Sequence, residues 1–144
     1  MSPGGVFVDT GAWVALQVPG DAHHRTAAET LPELVQRCQA LATSNHVVGE
    51  TYTVLRRDRG YEAARRFLDG LLATAKLERH FISEALEQDA YQIVHRYTDH
   101  PFSFVDGTSF ALMRQQRIRL AFAFDTHFAT AGFVRIPLDF SLAP

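Results

Sequence analysis

Short apolar runs that alternate with segments of helical periodicity restrict the fold of this chain most strongly. Residues 6–8 and 120–124 are continuously apolar and too short for a helix, and each run is followed directly by an aspartate. Strands without polar alternation are buried on both faces, which is typical of a parallel sheet covered by helices. The pattern therefore predicts an α/β fold, a three-layer α/β/α sandwich around a parallel sheet.

Turn and cap residues divide the rest of the chain into further elements. Five strands are predicted, over residues 6–8, 41–43, 76–82, 120–124 and 133–136. Helices with their caps are predicted over residues 11–16, 22–40, 44–60, 61–72, 83–100, 103–116 and 126–132. Pro32 should interrupt the second helix, because a proline inside a helix removes a hydrogen bond and clashes with the preceding turn.

Length and composition fit a single domain over residues 1–144. The chain has 144 residues, 47% of them hydrophobic, which suffices for one core. No apolar run approaches the roughly 20 residues that cross a bilayer, and the first five residues lack the features of a secretion signal. We therefore expect a cytoplasmic protein with no membrane segment. Cys38, the single cysteine, cannot form an intramolecular disulfide and is expected in the core.

The charge balance gives no general attraction for nucleic acid. The net charge is −2, so any binding of nucleic acid must be local. Arginines cluster at residues 56–66 and 114–119, and the arginine side chain pairs well with phosphate. Solvated helix faces are the simpler explanation of these clusters, and guidance of an RNA backbone by the first cluster is the functional one.

Four acidic residues stand near the expected carboxyl ends of the strands. Asp9 and Asp125 follow the first and fourth strands, while Glu50 and Asp106 lie near the starts of two helices. In a parallel sheet these positions share one edge, which is where ligands bind. Each acid also has a structural explanation: Asp9 and Asp125 as helix caps, Asp106 in a capping box with Ser103, and Glu50 as a surface residue.

Carboxylates that meet at one edge require a counter-charge. Two unit charges about 4 Å apart repel by roughly 4 kcal/mol at an effective dielectric constant near 20. Hard oxygen ligands without cysteine favour Mg²⁺ or Mn²⁺ over zinc or copper. The four acids together thus predict a divalent metal site.

Four segments of the chain carry a family resemblance in their order and spacing. They are residues 7–12, 43–51, 103–106 and 122–128. These segments resemble the PIN domain family and, more narrowly, the VapC-type toxin ribonucleases of toxin–antitoxin pairs. The resemblance implies a five-stranded parallel sheet of order 3-2-1-4-5 and a metal-dependent endoribonuclease. It also implies an RNA substrate, a cognate antitoxin that inserts a segment over the acidic cleft, and a homodimer.

By matching motif positions, the resemblance assigns the catalytic and metal-binding residues. The acidic quartet would be Asp9, Glu50, Asp106 and Asp125, with Thr10 assisting through its hydroxyl. Gly11 is a departure, because a serine is common at this position. Asp9 and Asp125 are expected to contact the metal directly, and Glu50 or Asp106 to orient or deprotonate the attacking water.

Other classes of protein remain as alternatives at this point. A receiver domain needs a lysine after a late strand, but the only lysine, Lys76, comes before the third strand. A phosphatase of the haloacid-dehalogenase type needs a second aspartate where Gly11 stands. A module of the same fold that binds RNA or protein without cutting is disfavoured by the intact quartet. His127 could contact the phosphate or a partner, but a partly exposed packing residue is the simpler expectation, and His23 and His24 are expected at the surface. Trp13 either packs in the core or covers an interface, and the helical stripe that includes Phe67 and Leu71 serves either a partner contact or the core.

Overall fold

The computed structural model describes residues 4–140, so the ends of the expected domain, residues 1–3 and 141–144, lie outside the described residues. The strands are β1 (Gly5–Val8), β2 (Ala40–Ser44), β3 (Leu77–His80), β4 (Leu120–Phe122) and β5 (Val134–Ile136). The helices are α1 (Thr10–Gln17), α2 (His24–Arg37), α3 (Asn45–Arg59), α4 (Tyr61–Leu72), α5 (Glu84–Arg96), α6 (Phe104–Gln115) and α7 (His127–Thr130). Over residues 4–140, the helices are all too short or too polar to cross a membrane.

The five strands form one parallel sheet in the order β3-β2-β1-β4-β5. This order confirms the α/β class and the topology that the family resemblance implied. The chain builds outward from β1 on one side and then returns to add β4 on the other, so the connections change direction between these two strands. At such a switch point a crevice opens beyond the carboxyl ends of the strands.

The register of β1 and β4 brings their carboxyl ends side by side. Val8 pairs with Phe122, and the amide of Asp9 donates to the carbonyl of Phe122 at 3.1 Å. The residues that follow the two strands therefore leave the sheet next to each other, at the mouth of the crevice.

Both faces of the sheet are covered by apolar side chains. Val6, Phe7 and Val8 are all 0% exposed, although successive residues of a strand point to opposite faces. Burial of each such side chain stabilises the fold by about 1.5–3 kcal/mol. Phe128 of α7 packs 6.2 Å from Phe7 and edge-on to Phe110 of α6 at 5.1 Å, measured between ring centroids. The core thus anchors the elements that follow β1 and β4.

Serine caps fix the starts of three helices. The hydroxyl of Ser44 accepts a hydrogen bond from the Val47 amide at 3.1 Å, so Ser44 caps α3. Asn45 instead accepts a hydrogen bond from the Ile82 amide at 2.8 Å, which ties α3 to the chain after β3. Ser83 caps α5 and Ser103 caps α6, as predicted. These caps satisfy amide groups that a helix start leaves unpaired.

Pro32 does not interrupt the second helix, so that prediction is wrong. The helix α2 continues past it to Arg37. The hydrogen bond that proline cannot donate would reach the carbonyl of residue 28, and Ala28 and Pro32 are both exposed, so water can bond that carbonyl. The buried residues Ala27 and Leu34 hold the two halves of the helix on the core.

The fourth strand is shorter than predicted, and Asp125 does not follow it directly. Pairing ends with Phe122 opposite Ile136. Ala123 and Phe124 continue as an irregular segment, which is apolar because Ala123 is fully buried and Phe124 packs edge-on against Phe122 at 5.9 Å. An apolar run does not distinguish a strand from a buried loop. The elements β3, β5 and α7 are also shorter than predicted.

Gly107 allows α6 to lie close against α5, directly after the acidic residue Asp106. A Cβ atom at position 107 would lie 2.8 Å from Cγ1 of Val94 and 3.2 Å from the carbonyl oxygen of Ala90. Real Cβ contacts are longer, so any larger residue here forces a shift of one helix. The close approach therefore fixes the position of the first turn of α6 at the sheet edge.

We expect Gly107→Val to lower the free energy of unfolding by about 2–3 kcal/mol, because overpacking a filled interface typically costs about 1–3 kcal/mol. Urea denaturation followed by circular dichroism measures this change. Gly70→Ala in α4 is the matched control, since a Cβ there meets nothing within 4 Å. The higher helix propensity of alanine should make this variant more stable by up to about 1 kcal/mol. Destabilisation of both variants to the same extent would contradict the role of close packing.

Candidate active site

Asp9 lies at the end of β1 with its carboxylate buried. The residue occupies the N-cap position of α1, but among the described residues its side chain makes no capping hydrogen bond, so the capping explanation is wrong. Asp9 is only 5% exposed. Burial, and then the negative charges of Asp125, Asp106 and Glu50, hold the pKa of Asp9 well above its ordinary value, although a hydrogen bond from the Thr10 amide acts in the opposite direction.

Asp125 lies in the loop between β4 and α7. One carboxylate oxygen, Oδ1, accepts a hydrogen bond from the His127 amide at 2.9 Å, so a cap-like contact with α7 is present. Burial raises the pKa of Asp125 and the charge of Asp106 adds to the effect, while His127 opposes it. Asp125 therefore combines a contact with the start of α7 and a place in the acidic cluster.

Asp106 makes the expected capping box and also binds a histidine. Its Oδ2 atom accepts a hydrogen bond from the Ser103 amide at 3.0 Å, and the Ser103 hydroxyl accepts one from the Asp106 amide at 3.0 Å. The same Oδ2 lies 2.8 Å from Nδ1 of His127. One ligand atom each from Asp106, Asp125 and His127 lies within 4.8 Å of the others. The box and the histidine together fix the orientation of the Asp106 carboxylate.

The contact between His127 and Asp106 at this edge was not predicted from the sequence. His127 packs edge-on against Phe102 at 5.3 Å, in agreement with the packing role expected of it. Its hydrogen bond to Asp106 spans 21 positions of the chain, which spacing alone does not reveal. The sequence feature that could have indicated this contact is the position of His127 two residues after Asp125, in the same turn.

Glu50 lies in the second turn of α3 and is half-buried. Its charge is one of the causes of the raised pKa of Asp9, so the carboxylate is near the buried aspartate. The partial burial of Glu50 and its effect on Asp9 favour the functional explanation over that of an ordinary surface residue. The structure brings the four predicted acids to one edge of the sheet, and their roles in catalysis stay predictions.

Thr10 places a buried hydroxyl next to Asp9. The residue is 9% exposed, and among residues 4–140 its Oγ1 atom has no hydrogen-bond partner. An unsatisfied buried hydroxyl costs about 1–3 kcal/mol, so a ligand or an ordered water held by the acids would stabilise this position. Carboxylate and hydroxyl oxygens are the donors that hard divalent cations prefer. The residues at this edge therefore fit a divalent metal ion.

Arg135 of β5 holds the main chain that carries Asp125. Its Nη1 atom donates to the carbonyls of Asp125 at 3.0 Å and Phe124 at 3.4 Å. Its Nε and Nη2 atoms form two hydrogen bonds with the carboxylate of Asp139, at 2.9 and 3.0 Å. A two-point pair of this kind restricts the guanidinium to one orientation. Arg135 thus stabilises the acidic loop, and no feature of the sequence predicted this role.

The aromatic and apolar residues singled out in the sequence lie in the core. Trp13 is 4% exposed and donates from Nε1 to the hydroxyl of Thr43 at 3.3 Å. Phe67, Leu71 and Cys38 are also buried. The helical stripe of α4 therefore belongs to the core at these two positions.

The remaining surface predictions meet different outcomes. His23 is exposed as expected, but His24 is half-buried, with Nδ1 at 2.7 Å from the Ala15 carbonyl oxygen. In the first arginine cluster, Arg57 bonds Asp58, and Arg65 bonds both neighbouring acids of α4. These pairs support a solvated helix face for that part of the cluster.

Comparison with known proteins agrees with this geometry. Residues 6–134 match the PIN domain family. The 23S rRNA-specific endonuclease VapC20 of Mycobacterium tuberculosis is 41% identical over 131 residues, which cover 91% of this chain and 97% of the relative. The crystal structure of VapC20, described as a toxin that cleaves the sarcin–ricin loop, has a TM-score of 0.82 and 40% identity, covering 90% of this chain and 96% of that one.

A more distant structure shares the fold alone. VapBC2 from Rickettsia felis, solved with a DNA fragment from its promoter, gives a TM-score of 0.67 at 12% identity and covers 91% of this chain and 96% of the other. The family match spans the sheet from β1 to the start of β5, including every acid of the edge described above. On that match and on the identity to VapC20, the chain belongs to the PIN domain family.

Proposed function

We propose that this protein is a metal-dependent endoribonuclease and the toxin component of a toxin–antitoxin pair. The observation that carries the proposal is the buried Asp9 at the switch point of the sheet, where the charges of Asp125, Asp106 and Glu50 all raise its pKa. Nucleases with PIN domains typically use a divalent metal, and the donor set here is suited to one. The 41% identity to an rRNA endonuclease supports the same class of reaction.

The ion in this proposal is Mg²⁺, with Mn²⁺ as its closest substitute. All four acids offer hard oxygen ligands, and these ions retain coordination positions for water and for phosphate oxygens. Asp9 and Asp125 are the direct ligands in our proposal, because Asp9 directly follows β1 and Arg135 holds the main chain of Asp125 beside it. Thr10 follows Asp9 directly, and we propose that its buried hydroxyl, which has no hydrogen-bond partner among the described residues, bonds a ligand of the ion.

The reaction is hydrolysis of a phosphodiester bond. A bound divalent cation supplies Lewis-acid activation of water and of the phosphate. Glu50 or Asp106 orients the water and accepts its proton, and the water oxygen bonds to phosphorus as the bond from phosphorus to the 3′ oxygen breaks. The 3′ oxygen leaves with the electron pair of that bond and takes a proton from solvent water. The products carry a 5′-phosphate and a 3′-hydroxyl. His127 and Ser103 keep the Asp106 carboxylate in one orientation during this step.

The substrate we propose is 23S ribosomal RNA, cleaved in the sarcin–ricin loop. This assignment rests on the activity of the relative VapC20, which resembles this chain over nearly its full length. The proposed partner is an antitoxin that covers the acidic cleft, as in the toxin–antitoxin systems to which VapC proteins belong. A homodimer, a cytoplasmic location and a single domain over residues 1–144 complete the proposal.

The alternative is a PIN-fold module that binds RNA or protein without cutting it. Such a module would not need four intact acids, and each acid at this edge is present. Nuclease activity is therefore the stronger hypothesis, and the experiments below separate the two.

The first test is cleavage of a synthetic RNA that contains the sarcin–ricin loop. We expect one main cut in the presence of Mg²⁺, no cut in EDTA, and a 5′-phosphate and a 3′-hydroxyl when the ends are mapped. Products with a 2′,3′-cyclic phosphate, or equal cleavage in EDTA, would contradict hydrolysis by the acidic site. Cleavage of other RNAs but not of this loop would contradict the substrate alone.

The second test removes one charge from the site. We expect Asp9→Asn to lower the rate of RNA cleavage by about 100-fold or more, because removing one preorganised electrostatic group commonly costs that much. Asp89→Asn is the matched control on α5, at an exposed position outside the acidic cluster, and should retain full activity. An active Asp9→Asn variant with wild-type dependence on Mg²⁺ would exclude Asp9 from the site.

The third test uses the effect of pH on stability without metal. The pKa of Asp9 is raised in the folded state. The unfolded chain releases the Asp9 proton above the ordinary pKa of about 3.8, but the folded protein still retains it there. Folding stability in EDTA should therefore fall as the pH rises from 4 towards 8, until Asp9 is ionised in both states.

Thermal unfolding of wild type and Asp9→Asn between pH 4 and 8 measures this effect. The variant should have a flatter pH dependence and, in EDTA at pH 7, a melting temperature about 3 °C or more above that of the wild type, since about 1 kcal/mol shifts the melting temperature by a few degrees. Addition of Mg²⁺ should stabilise the wild type more than the variant. Identical pH profiles of the two proteins would show that ionisation of Asp9 does not lower the stability of the fold.

A further inference from the structure

An exposed histidine and a phenylalanine stack beside the acidic edge. The rings of His23 and Phe124 have centroids 4.3 Å apart and planes only 7° from parallel. His23 is exposed and Phe124 is half-buried. Because Phe124 covers one face of the imidazole, the exposed surface of His23 includes the opposite face of the ring.

Contacts on both sides hold this pair in a fixed geometry. Phe124 packs edge-on against the fully buried Phe122 of β4, at 5.9 Å between centroids. The amide of His23 donates to the carboxylate of Asp21 at 2.8 Å, and the adjacent His24 bonds the Ala15 carbonyl of α1 at 2.7 Å. The exposed ring is therefore anchored from the sheet and from α1, and little conformational entropy is lost when a ligand stacks on it.

The pair adjoins the groups that would bind the phosphodiester. Phe124 directly precedes Asp125, and Arg135 bonds the carbonyls of both residues. A nucleotide whose phosphate is at the acidic cluster thus has its neighbouring base near the stacked rings. Sequence-tolerant binding of unpaired bases characteristically uses aromatic rings of this kind.

We propose that the outer face of His23, supported by Phe124, is a binding site for one unpaired nucleobase next to the cleaved bond. This proposal rests on the proposed function, because it needs a polynucleotide at the acidic cluster. A stacked base would position the strand across the site, and it would favour single-stranded RNA, since a paired base has no free face for the ring.

The test measures binding of two fluorescent oligonucleotides by anisotropy. One is hexa-adenylate RNA, and the other is an abasic hexamer that keeps the sugars and phosphates but lacks the bases. The measurements use the Asp9→Asn background with Mg²⁺, in which the proposed function predicts cleavage at least about 100-fold slower than in the wild type. Comparison of the two probes separates recognition of bases from recognition of phosphates.

Three substitutions at position 23 distinguish stacking from hydrogen bonding and from charge. We expect His23→Ala and His23→Gln to lower the affinity for hexa-adenylate about tenfold, with no change for the abasic hexamer. His23→Phe keeps an aromatic face and should bind hexa-adenylate within about twofold of the parent. Tyr91→Ala is the matched control, because Tyr91 is 60% exposed and stacks on His95 within α5, which contributes no acid to the cluster.

Each other result overturns a defined part of the proposal. If His23→Ala binds hexa-adenylate like the parent, if His23→Phe is as weak as His23→Ala, or if Tyr91→Ala loses the same affinity, the base site at His23 is wrong while the nuclease proposal stands. If wild-type protein fails to cut RNA in Mg²⁺, the proposed function is wrong whatever the oligonucleotides do. Failure of both probes to bind any variant would contradict the base site and the polynucleotide site together.

Discussion

Repulsion among carboxylates at one edge of the sheet is the constraint on which this structure depends. Asp9 is buried, and the charges of three other acids oppose its ionisation. The chain reaches this arrangement because β1 and β4 are neighbours that end together, so the residues after them share a crevice. At neutral pH such a cluster lowers the stability of the fold unless a cation offsets the charge. The arrangement is therefore better suited to binding a divalent cation than to the stability of the fold alone.

The supporting contacts explain how the acids stay in place despite this repulsion. Asp106 is bound at one oxygen by the Ser103 amide and by His127, and the main chain of Asp125 is held by Arg135. A capping role and a role in the metal site are thus compatible, because a carboxylate has two oxygens with several acceptor positions. Capping was considered as an alternative to a functional role for Asp106 and Asp125. For these two residues the capping contacts instead help to position the site.

Much of this architecture could be predicted from the sequence, and the exceptions have physical reasons. Continuous apolar runs identify β1 and β4, and the rule for parallel sheets brings Asp9 and Asp125 to one edge. The same runs do not reveal that pairing ends at Phe122, because Phe124 is apolar for a different reason, its contacts with Phe122 and His23. The predicted interruption at Pro32 was wrong because water can bond the carbonyl of residue 28, which proline leaves without a donor. His127 and Arg135 act through contacts distant in the chain, which no local pattern encodes.

The same energetics bear on the choice between a nuclease and a binding module. A module that only held RNA would gain from fewer negative charges at this edge, because carboxylates repel phosphates as strongly as they repel one another. Replacement of a buried aspartate by a neutral residue would relieve the strain at Asp9 and weaken nothing that such a module needs. Four acids at one edge, beside a buried Thr10 hydroxyl that has no hydrogen-bond partner within residues 4–140, are explained if a cation converts the repulsion among the acids into attraction for the substrate. The electrostatic disadvantage of gathering these carboxylates is thus itself an argument for metal-dependent chemistry.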